Sequence, residues 1–177
     1  MTATLPPTGS WYFEKQKGGG ALFDQGAHAA DLFLHFFGNG KITSANFVAA
    51  ENKSVDIAAN AKIQFKANLS GSIDIDWRSR SLSEVTVTAE GKDAFLSADL
   101  TKSTLSVRRQ QSILGRRTNG FTMLYDEKVG PHRMEIWEFV RSVRIGKEST
   151  TLATGQDGLN ALQLIESAYQ YFPKVSV

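Results

Sequence analysis

A helical pattern of apolar residues follows three consecutive glycines at positions 18–20. Its apolar positions cover much of the helix circumference: Leu22, Ala29, Leu32, Phe33, Phe36 and Phe37. Gly38 and Gly40 follow directly, and glycine commonly ends helices because it adopts left-handed backbone conformations. The pattern therefore predicts a helix that ends near residue 38 and is buried on several sides.

The pattern then changes to a period of two, which is typical of strands. It predicts strands over residues 42–51, 56–66, 69–77 and 84–89, with shorter ones over 94–98 and 104–109. The connections between them are too short to hold crossover helices. The sequence therefore predicts a mostly antiparallel sheet.

Two further helical patterns come after a loop predicted at 115–130. The first covers residues 131–144, with Pro131 in its first turn and Gly146 after its end. The second covers residues 156–171. A helix, a run of strands and then helices is an α+β order. No repeat or linker divides the chain, so we expect an extended lead-in over 1–10 and a single domain over 11–177.

The composition is that of a folded globular protein, with 41% hydrophobic and 21% charged residues among 177. The chain has no cysteine, which excludes disulfides, thiolate metal sites and a cysteine nucleophile. No apolar run is long enough for a membrane helix, and residues 1–10 do not resemble a signal peptide. We therefore expect a cytoplasmic protein without a membrane partner.

Basic residues are concentrated between positions 100 and 125, where no acidic residue occurs. They are Lys102, Arg108, Arg109, Arg116 and Arg117. Such a run can bind nucleic acid, but no aromatic residue lies between these arginines, and the net charge of the chain is only +2. We interpret the run as a solvated hairpin and expect no nucleic-acid partner.

His28 is the histidine with the most suggestive neighbours. On a helix, Asp24 lies four residues before it and Asp31 three residues after it, so the three side chains share a face. A carboxylate beside an imidazole can fix its tautomer, as proton transfer near neutral pH requires. Gly26 leaves room for a substrate or another backbone to approach this face. The residue types are therefore candidates for acid–base catalysis.

Other interpretations of the same residues stay open from residue types alone. Buried ionisable groups also form purely structural clusters. Asp24, His28 and Asp31 could supply part of a metal site, which would need further ligands. Asp24 and Asp31 could be the carboxylate pair of a glycosidase. A glycine-rich turn before a helix can cradle a phosphate, but neither the dinucleotide fingerprint nor a Walker pattern occurs.

The segment 18–38 resembles the start of the C-terminal domain in the Gfo/Idh/MocA family (glucose–fructose oxidoreductase, inositol dehydrogenase and MocA). That family has a glycine-rich turn followed by Asp-x-Gly-x-His-x-x-Asp. Asp24, Gly26, His28 and Asp31 match this motif position by position, and Trp11 matches a tryptophan that is typical upstream.

The resemblance extends over about residues 11–172. Residues 84–96 resemble a strand–turn–strand of the family, although Ala94 or Phe95 stands where a second glycine is usual. Residues 135–144 and 154–169 resemble its paired closing helices.

The resemblance implies a fold and an activity. The fold is a large open, mostly antiparallel sheet with helices on one face, like the C-terminal domain of glyceraldehyde-3-phosphate dehydrogenase. Members oxidise or reduce sugars, polyols and related hydroxy or keto compounds with NAD or NADP. By the family pattern, His28 is the catalytic acid/base, and Asp24 binds substrate or orients His28. Trp11 joins them in substrate binding, while Gly26 and Asp31 are structural residues near the site.

The resemblance also implies partners that this chain does not supply. In the family an N-terminal Rossmann domain holds the nucleotide, and its fingerprint is absent here. We therefore expect no cofactor bound by this chain, activity only in a full-length parent enzyme, and a homodimer or tetramer joined through the open sheet face. A mixed face with few charges suits such sheet-to-sheet packing, and we assign to it the small and polar residues Ala59, Asn60, Ala61, Ser70 and Ser72. The alternative is a non-catalytic ligand-sensing or interaction module that kept the fold.

Overall fold

The computed structural model describes residues 5–7, 9–51, 54–78, 86–92, 94–99, 104–109 and 131–173. These residues form two compact units. The first consists of the described residues before 86 and after 154, and the second of those between 86 and 154. The predicted loop at 115–130 and three of the basic residues, Lys102, Arg116 and Arg117, lie outside the described residues.

The first unit includes two short 3₁₀ turns ahead of its helices, Trp11–Phe13 and Lys15–Lys17. Helices α1 (Ala21–Asp24) and α2 (Gly26–Phe37) follow. Gly38 then ends α2 with a φ of 72°, and its N–H donates to the Leu34 carbonyl at 2.9 Å. The helix predicted after the glycine triplet is therefore confirmed as two segments.

The sheet of the first unit has three antiparallel strands in the order β1–β2–β3. They are β1 (Lys41–Ala49), β2 (Asp56–Gln64) and β3 (Ser70–Asp76). A tight turn with Ala67 and Asn68 in left-handed conformation joins β2 to β3. The predicted strands and their antiparallel pairing are confirmed.

Helices α1, α2 and α4 (Gly155–Ala168) pack on one face of this sheet. The largest fully buried side chains of that face are Leu22, Ile42, Ile63, Ile73, Trp77 and Ile165. Burying a side chain of this size contributes about 1.5–3 kcal/mol. A 3₁₀ turn, Tyr169–Tyr171, extends α4 to the end predicted for this helix.

Two alanines of β2 lie on the core face of the sheet, and not on the mixed face that the sequence predicted for them. We expected Ala59, Asn60 and Ala61 all to lie on the mixed, uncovered face. In the structure Ala59 and Ala61 belong to the core, opposite Ile75 and Ile73 of β3. Side chains alternate along a strand, so only Asn60 can face the other way. Small side chains suit the core face because helices α1 and α4 pack closely against it.

The second unit contains a separate three-stranded antiparallel sheet in the order β4–β5–β6. Its strands are β4 (Thr86–Glu90), β5 (Ala94–Asp99) and β6 (Thr104–Arg109). Helix α3 (Pro131–Ile145) belongs to this unit, and Gly146 follows it with a φ of 62°. Its apolar side chains are exposed, Trp137 by 78%. With antiparallel sheets and four α-helices among the described residues, the fold is α+β as predicted.

Candidate active site

The glycine turn that precedes α1 admits no other residue types. Gly18 and Gly20 have φ values of +80° and +119°, which strain any residue with a Cβ. A Cβ on Gly19 would lie 2.3 Å from the Tyr12 carbonyl oxygen. The three glycine N–H groups donate to the carbonyls of Lys15, Glu14 and Tyr12 at 3.0–3.1 Å. The turn is therefore closed on the segment that precedes it.

Asp56 and Tyr169 hold the start of α1. The Leu22 N–H donates to Asp56 Oδ2 at 2.8 Å, and the Tyr169 hydroxyl donates to Asp56 Oδ1 at 2.7 Å. The Phe23 N–H donates to the Tyr169 oxygen at 3.1 Å. Burial raises the pKa of Asp56, although these hydrogen bonds oppose the shift. Burial and the neighbouring carboxylate raise the pKa of Tyr169 far above its ordinary value.

This arrangement does not fit the phosphates of a dinucleotide. A phosphate cradle needs free N–H groups at the start of a helix. Here the N–H groups of Leu22 and Phe23 are taken by Asp56 and Tyr169, and those of the glycine turn by backbone carbonyls.

Asp24 and His28 are brought together at the junction of α1 and α2. Gln25 between the helices has φ −89° and ψ −28°, which keeps the backbone helical. Asp24 is half-buried and His28 is exposed. Burial raises the pKa of the Asp24 carboxyl, and its interaction with the charge of His28 opposes the shift. Asp24 and His28 therefore lie one helical turn apart and interact through their charges, with the imidazole open to solvent.

The two remaining motif residues have different surroundings. Asp31 is half-buried on α2, three residues beyond His28. Gly26 is buried, and a Cβ there would lie 2.7 Å from Leu22 Cδ1 and 3.3 Å from Ile165 Cδ1. The space at Gly26 is thus filled by core side chains rather than left for a substrate. Gly26 lets α2 approach α4 closely.

Trp11 lies in the segment to which the glycine turn is bonded. Its ring is stacked on Tyr12, with ring centroids 4.0 Å apart, and the side chain is 45% exposed. Tyr12 in turn packs edge-on against the buried Trp77, at 5.8 Å between centroids. The Gly20 N–H donates to the Tyr12 carbonyl at 3.0 Å, which ties Trp11 to the start of α1. An exposed aromatic face therefore accompanies the turn.

Sequence reasoning missed Asp56 and Tyr169. Asp56 is fully buried, the one charged residue among the described residues for which this holds. In the sequence it follows a turn-forming segment and starts a strand, where acidic residues are usually exposed. Its partners are 34 and 113 residues away, so no local pattern could identify them.

Across the part of the chain that the structure describes, no group of three or more histidine, aspartate or glutamate residues could hold a metal ion. No helix there is long and apolar enough to cross a membrane.

The face of the first sheet opposite the helices carries a shallow open depression, lined by the polar and charged residues Asn46, Asn60, Asp74, Asp76 and Arg78 together with apolar residues such as Val48 and Ala58. Arg78 forms an ion pair with Asp76 at 2.7 Å and lowers the pKa of that carboxyl. Asn60 donates a hydrogen bond to Asp74. This face is more charged than its sequence suggested.

The first unit thus combines an antiparallel sheet backed by helices with a closed glycine turn, after which Asp24 and His28 lie one helical turn apart. The sequence pattern of the GFO/IDH/MocA C-terminal domain matches residues 1–97, more than half of the chain. The chain belongs to the GFO/IDH/MocA family, as its motifs predicted.

Solved structures agree in fold. The chain is similar to a levoglucosan dehydrogenase in complex with NADH and levoglucosan, with a TM-score of 0.75 and 17% identity over 96% of this chain and 54% of that one. It is also similar to GenD2 from gentamicin A biosynthesis in complex with NAD, with a TM-score of 0.73 and 22% identity over 96% and 50%. An NAD-binding protein from Listeria innocua gives a TM-score of 0.67 and 17% identity over 97% and 54%.

The chain therefore spans about half the length of the solved structures that it matches. No curated protein shows significant sequence similarity to it.

Proposed function

We propose that this chain is the substrate-binding and subunit-pairing part of an NAD- or NADP-dependent oxidoreductase that acts on a sugar, a polyol or a related hydroxy or keto compound. The observation that carries the proposal is the position of half-buried Asp24 one helical turn before exposed His28, with an electrostatic interaction between them. Family membership supports the reaction type. A similar fold in a levoglucosan dehydrogenase supports the substrate class.

His28 is the catalytic acid/base in this proposal. Oxidation of an alcohol releases a proton from the hydroxyl and a hydride from the carbon that bears it. The hydride acceptor is the nicotinamide, held by another part of the parent enzyme. The exposed imidazole of His28 takes the hydroxyl proton and returns it in the reverse direction.

Asp24 assists this proton transfer through its negative charge. As an anion, it stabilises the imidazolium that forms when His28 accepts a proton. The half-buried position of Asp24 strengthens this interaction because the surrounding dielectric is lower than in water. Its carboxylate also accepts hydrogen bonds from substrate hydroxyls. Trp11 offers an exposed aromatic face on which the apolar side of a sugar ring packs.

A second candidate is a module that binds a small molecule without turning it over. The observation that favours it is the start of α1, where the N–H groups of Leu22 and Phe23 are already bonded within the chain. The DNA upstream of the coding sequence distinguishes the two candidates. A frame that continues into a Rossmann fingerprint supports the enzyme.

Substitution of His28 in the full-length parent tests the proposed role. The change His28→Ala should lower kcat for alcohol oxidation by roughly 100-fold or more, the scale expected for loss of a general acid/base. His35→Ala is the matched control, because His35 is also exposed and lies two turns further along α2. It should leave kcat within about 2-fold of the wild-type value. Steady-state kinetics with NAD and NADP on a panel of sugars and polyols gives the measurement.

Equal turnover in the His28→Ala variant and the wild-type enzyme would remove His28 from the mechanism. A similar loss in both histidine variants would indicate a general effect on the helix instead of a role in proton transfer.

A further inference from the structure

We propose that Asp56 and Tyr169 are positioning residues of the candidate active site, which set the place of Asp24 and His28 by holding the start of α1. Only the expected effect on turnover rests on the proposed function; the effect on the position of α1 does not. Neither residue belongs to the Asp-x-Gly-x-His-x-x-Asp motif, and both bond to the backbone of α1 instead of to the side chains of Asp24 and His28.

Helix α1 has no cap of its own. Its N-cap residue is Gly20, which has no side chain to accept a hydrogen bond from the first N–H groups. Asp56, from the start of β2, accepts the Leu22 N–H instead. Tyr169, from the end of α4, accepts the Phe23 N–H. Both substitutes come from elements that are themselves anchored in the core of the first unit.

The fit around this pair fixes the start of α1 closely. Asp56 is fully buried and uses both carboxylate oxygens, one for Leu22 and one for Tyr169. A Cβ on Gly20 would lie 2.5 Å from Asp56 Oδ1 and 2.9 Å from the Tyr169 oxygen. The backbone of the glycine turn therefore rests directly on the two side chains, and movement of either one moves the turn.

A displacement at this point reaches the site within two turns of helix. The Asp24 N–H donates to the Gly20 carbonyl at 3.0 Å, within the same turn as the bonds to Asp56 and Tyr169. The backbone stays helical through Gln25, so His28 in the first turn of α2 follows α1. Proton transfer is sensitive to such shifts, since a misplacement of about 1 Å can cost a 100-fold rate.

The change Tyr169→Phe tests the inference, with Tyr171→Phe as the matched control. Both remove one hydroxyl near the end of α4, but the hydroxyl of Tyr171 donates to the Thr43 carbonyl, on β1. NMR titration of the side-chain carboxyl carbon of Asp24 in this chain provides the first measurement. We expect Tyr169→Phe to lower the pKa of Asp24 toward its ordinary value, because a loosened α1 lets water reach the carboxyl. Tyr171→Phe should leave that pKa unchanged.

Kinetics of the full-length parent provide the second measurement. Tyr169→Phe should lower kcat by roughly 10-fold or more with little change in KM, because the substrate still binds while the proton acceptor is misplaced. Tyr171→Phe should keep the wild-type kcat. Asp56→Asn, which preserves the side-chain shape, serves as the second variant if Tyr169→Phe does not fold, and the same results are expected of it.

A variant that unfolds more easily but keeps the wild-type pKa of Asp24 and the wild-type kcat would overturn the inference and leave a structural role. Failure of the proposed function gives a different result. In that case His28→Ala retains activity, while the change in the pKa of Asp24 on Tyr169→Phe still supports the positioning role.

Discussion

Asp56 places an acidic group where no water reaches it, next to the backbone of a glycine turn. Removing a carboxylate from water is unfavourable unless hydrogen bonds replace the lost hydration. Two are present, from Leu22 and Tyr169, and both are short. Burial nevertheless outweighs them and raises the pKa of Asp56. The folded protein therefore holds a proton on this carboxyl more tightly than the unfolded chain does.

This shift makes stability depend on pH in a defined direction. Because the folded pKa of Asp56 lies above its unfolded value, its contribution is most favourable at pH values below the unfolded pKa. The contribution declines as the pH rises through the raised folded pKa and then stays constant. Asp56→Asn removes it, since an amide does not titrate. We expect the free energy of unfolding of wild-type protein, relative to Asp56→Asn, to be larger at about pH 4 than at about pH 7.

Urea unfolding of both proteins across this pH range measures the difference. Glu166→Gln provides a control on an exposed carboxyl of α4. A wild-type advantage that grew as the pH rose would contradict the direction of the shift.

At the level of single residues, the sequence predicted the site residues that belong to a local motif. It did not predict residues that meet only in the folded chain. Asp24 and His28 could be paired because helical spacing alone places them on one face. Asp56 and Tyr169 could not be paired, since their contact spans 113 residues. Gly26 was assigned to substrate access, but the packing of Leu22 and Ile165 against it depends on tertiary structure.

Among the elements, the glycine turn is the connection with the least tolerance for change. Gly19 has no room for a side chain, because the nearest atoms belong to the backbone of Tyr12 and Glu14 and cannot move independently. Gly158 in α4, by contrast, has open space around the position of a Cβ.

A pair of glycine substitutions tests this contrast. Gly19→Ala should lower the free energy of unfolding by about 2 kcal/mol or more, because the turn must open to accept a Cβ. Gly158→Ala should raise it by up to about 1 kcal/mol, because alanine has the higher helix propensity. Thermal or urea unfolding gives both values. Equal stability of the two variants would mean that the turn rearranges without penalty.

The strands and helices themselves were predictable from hydrophobic periodicity, and their ends were placed within a few residues. The face to which single small residues belong was less predictable. Ala59 and Ala61 read as surface residues by composition, yet they lie opposite Ile75 and Ile73 in the core. The pairing register of the strands determines the face on which an alanine lies, because its residue type suits both the core and the surface.

For the whole molecule, the uncovered face of the first sheet remains the surface through which we propose that two copies pair. All three helices of the first unit pack on the other face. The uncovered face combines small residues, such as Ala58 and Ser72, with the charges of Asp74, Asp76 and Arg78. Sheet-to-sheet packing at this surface should bury at least about 1,200 Å² in total, as a specific contact requires.

A charge placed in the middle of this face should weaken the assembly. In a two-fold symmetric dimer each Asn60→Arg change appears twice, and two long charged side chains that must lose their water keep the sheets apart. We expect the dissociation constant to rise by at least roughly 10-fold. Asn39→Arg, an exposed position after α2, should leave it unchanged. Sedimentation or light scattering over a concentration series measures both, and a wild-type monomer at tens of micromolar would reject the pairing.

The hydrogen bond between Phe23 and Tyr169 cannot form early in the synthesis of the nascent chain. The two residues are 146 positions apart, and ribosomes add about 5–20 residues per second. The start of α1 therefore waits roughly 7 to 30 seconds for its partner to be synthesised. During that interval Asp24 and His28 have already been made, but the support that orients them has not. We expect the glycine turn and the start of α1 to be among the last parts of the first unit to acquire protection from hydrogen exchange as the protein folds.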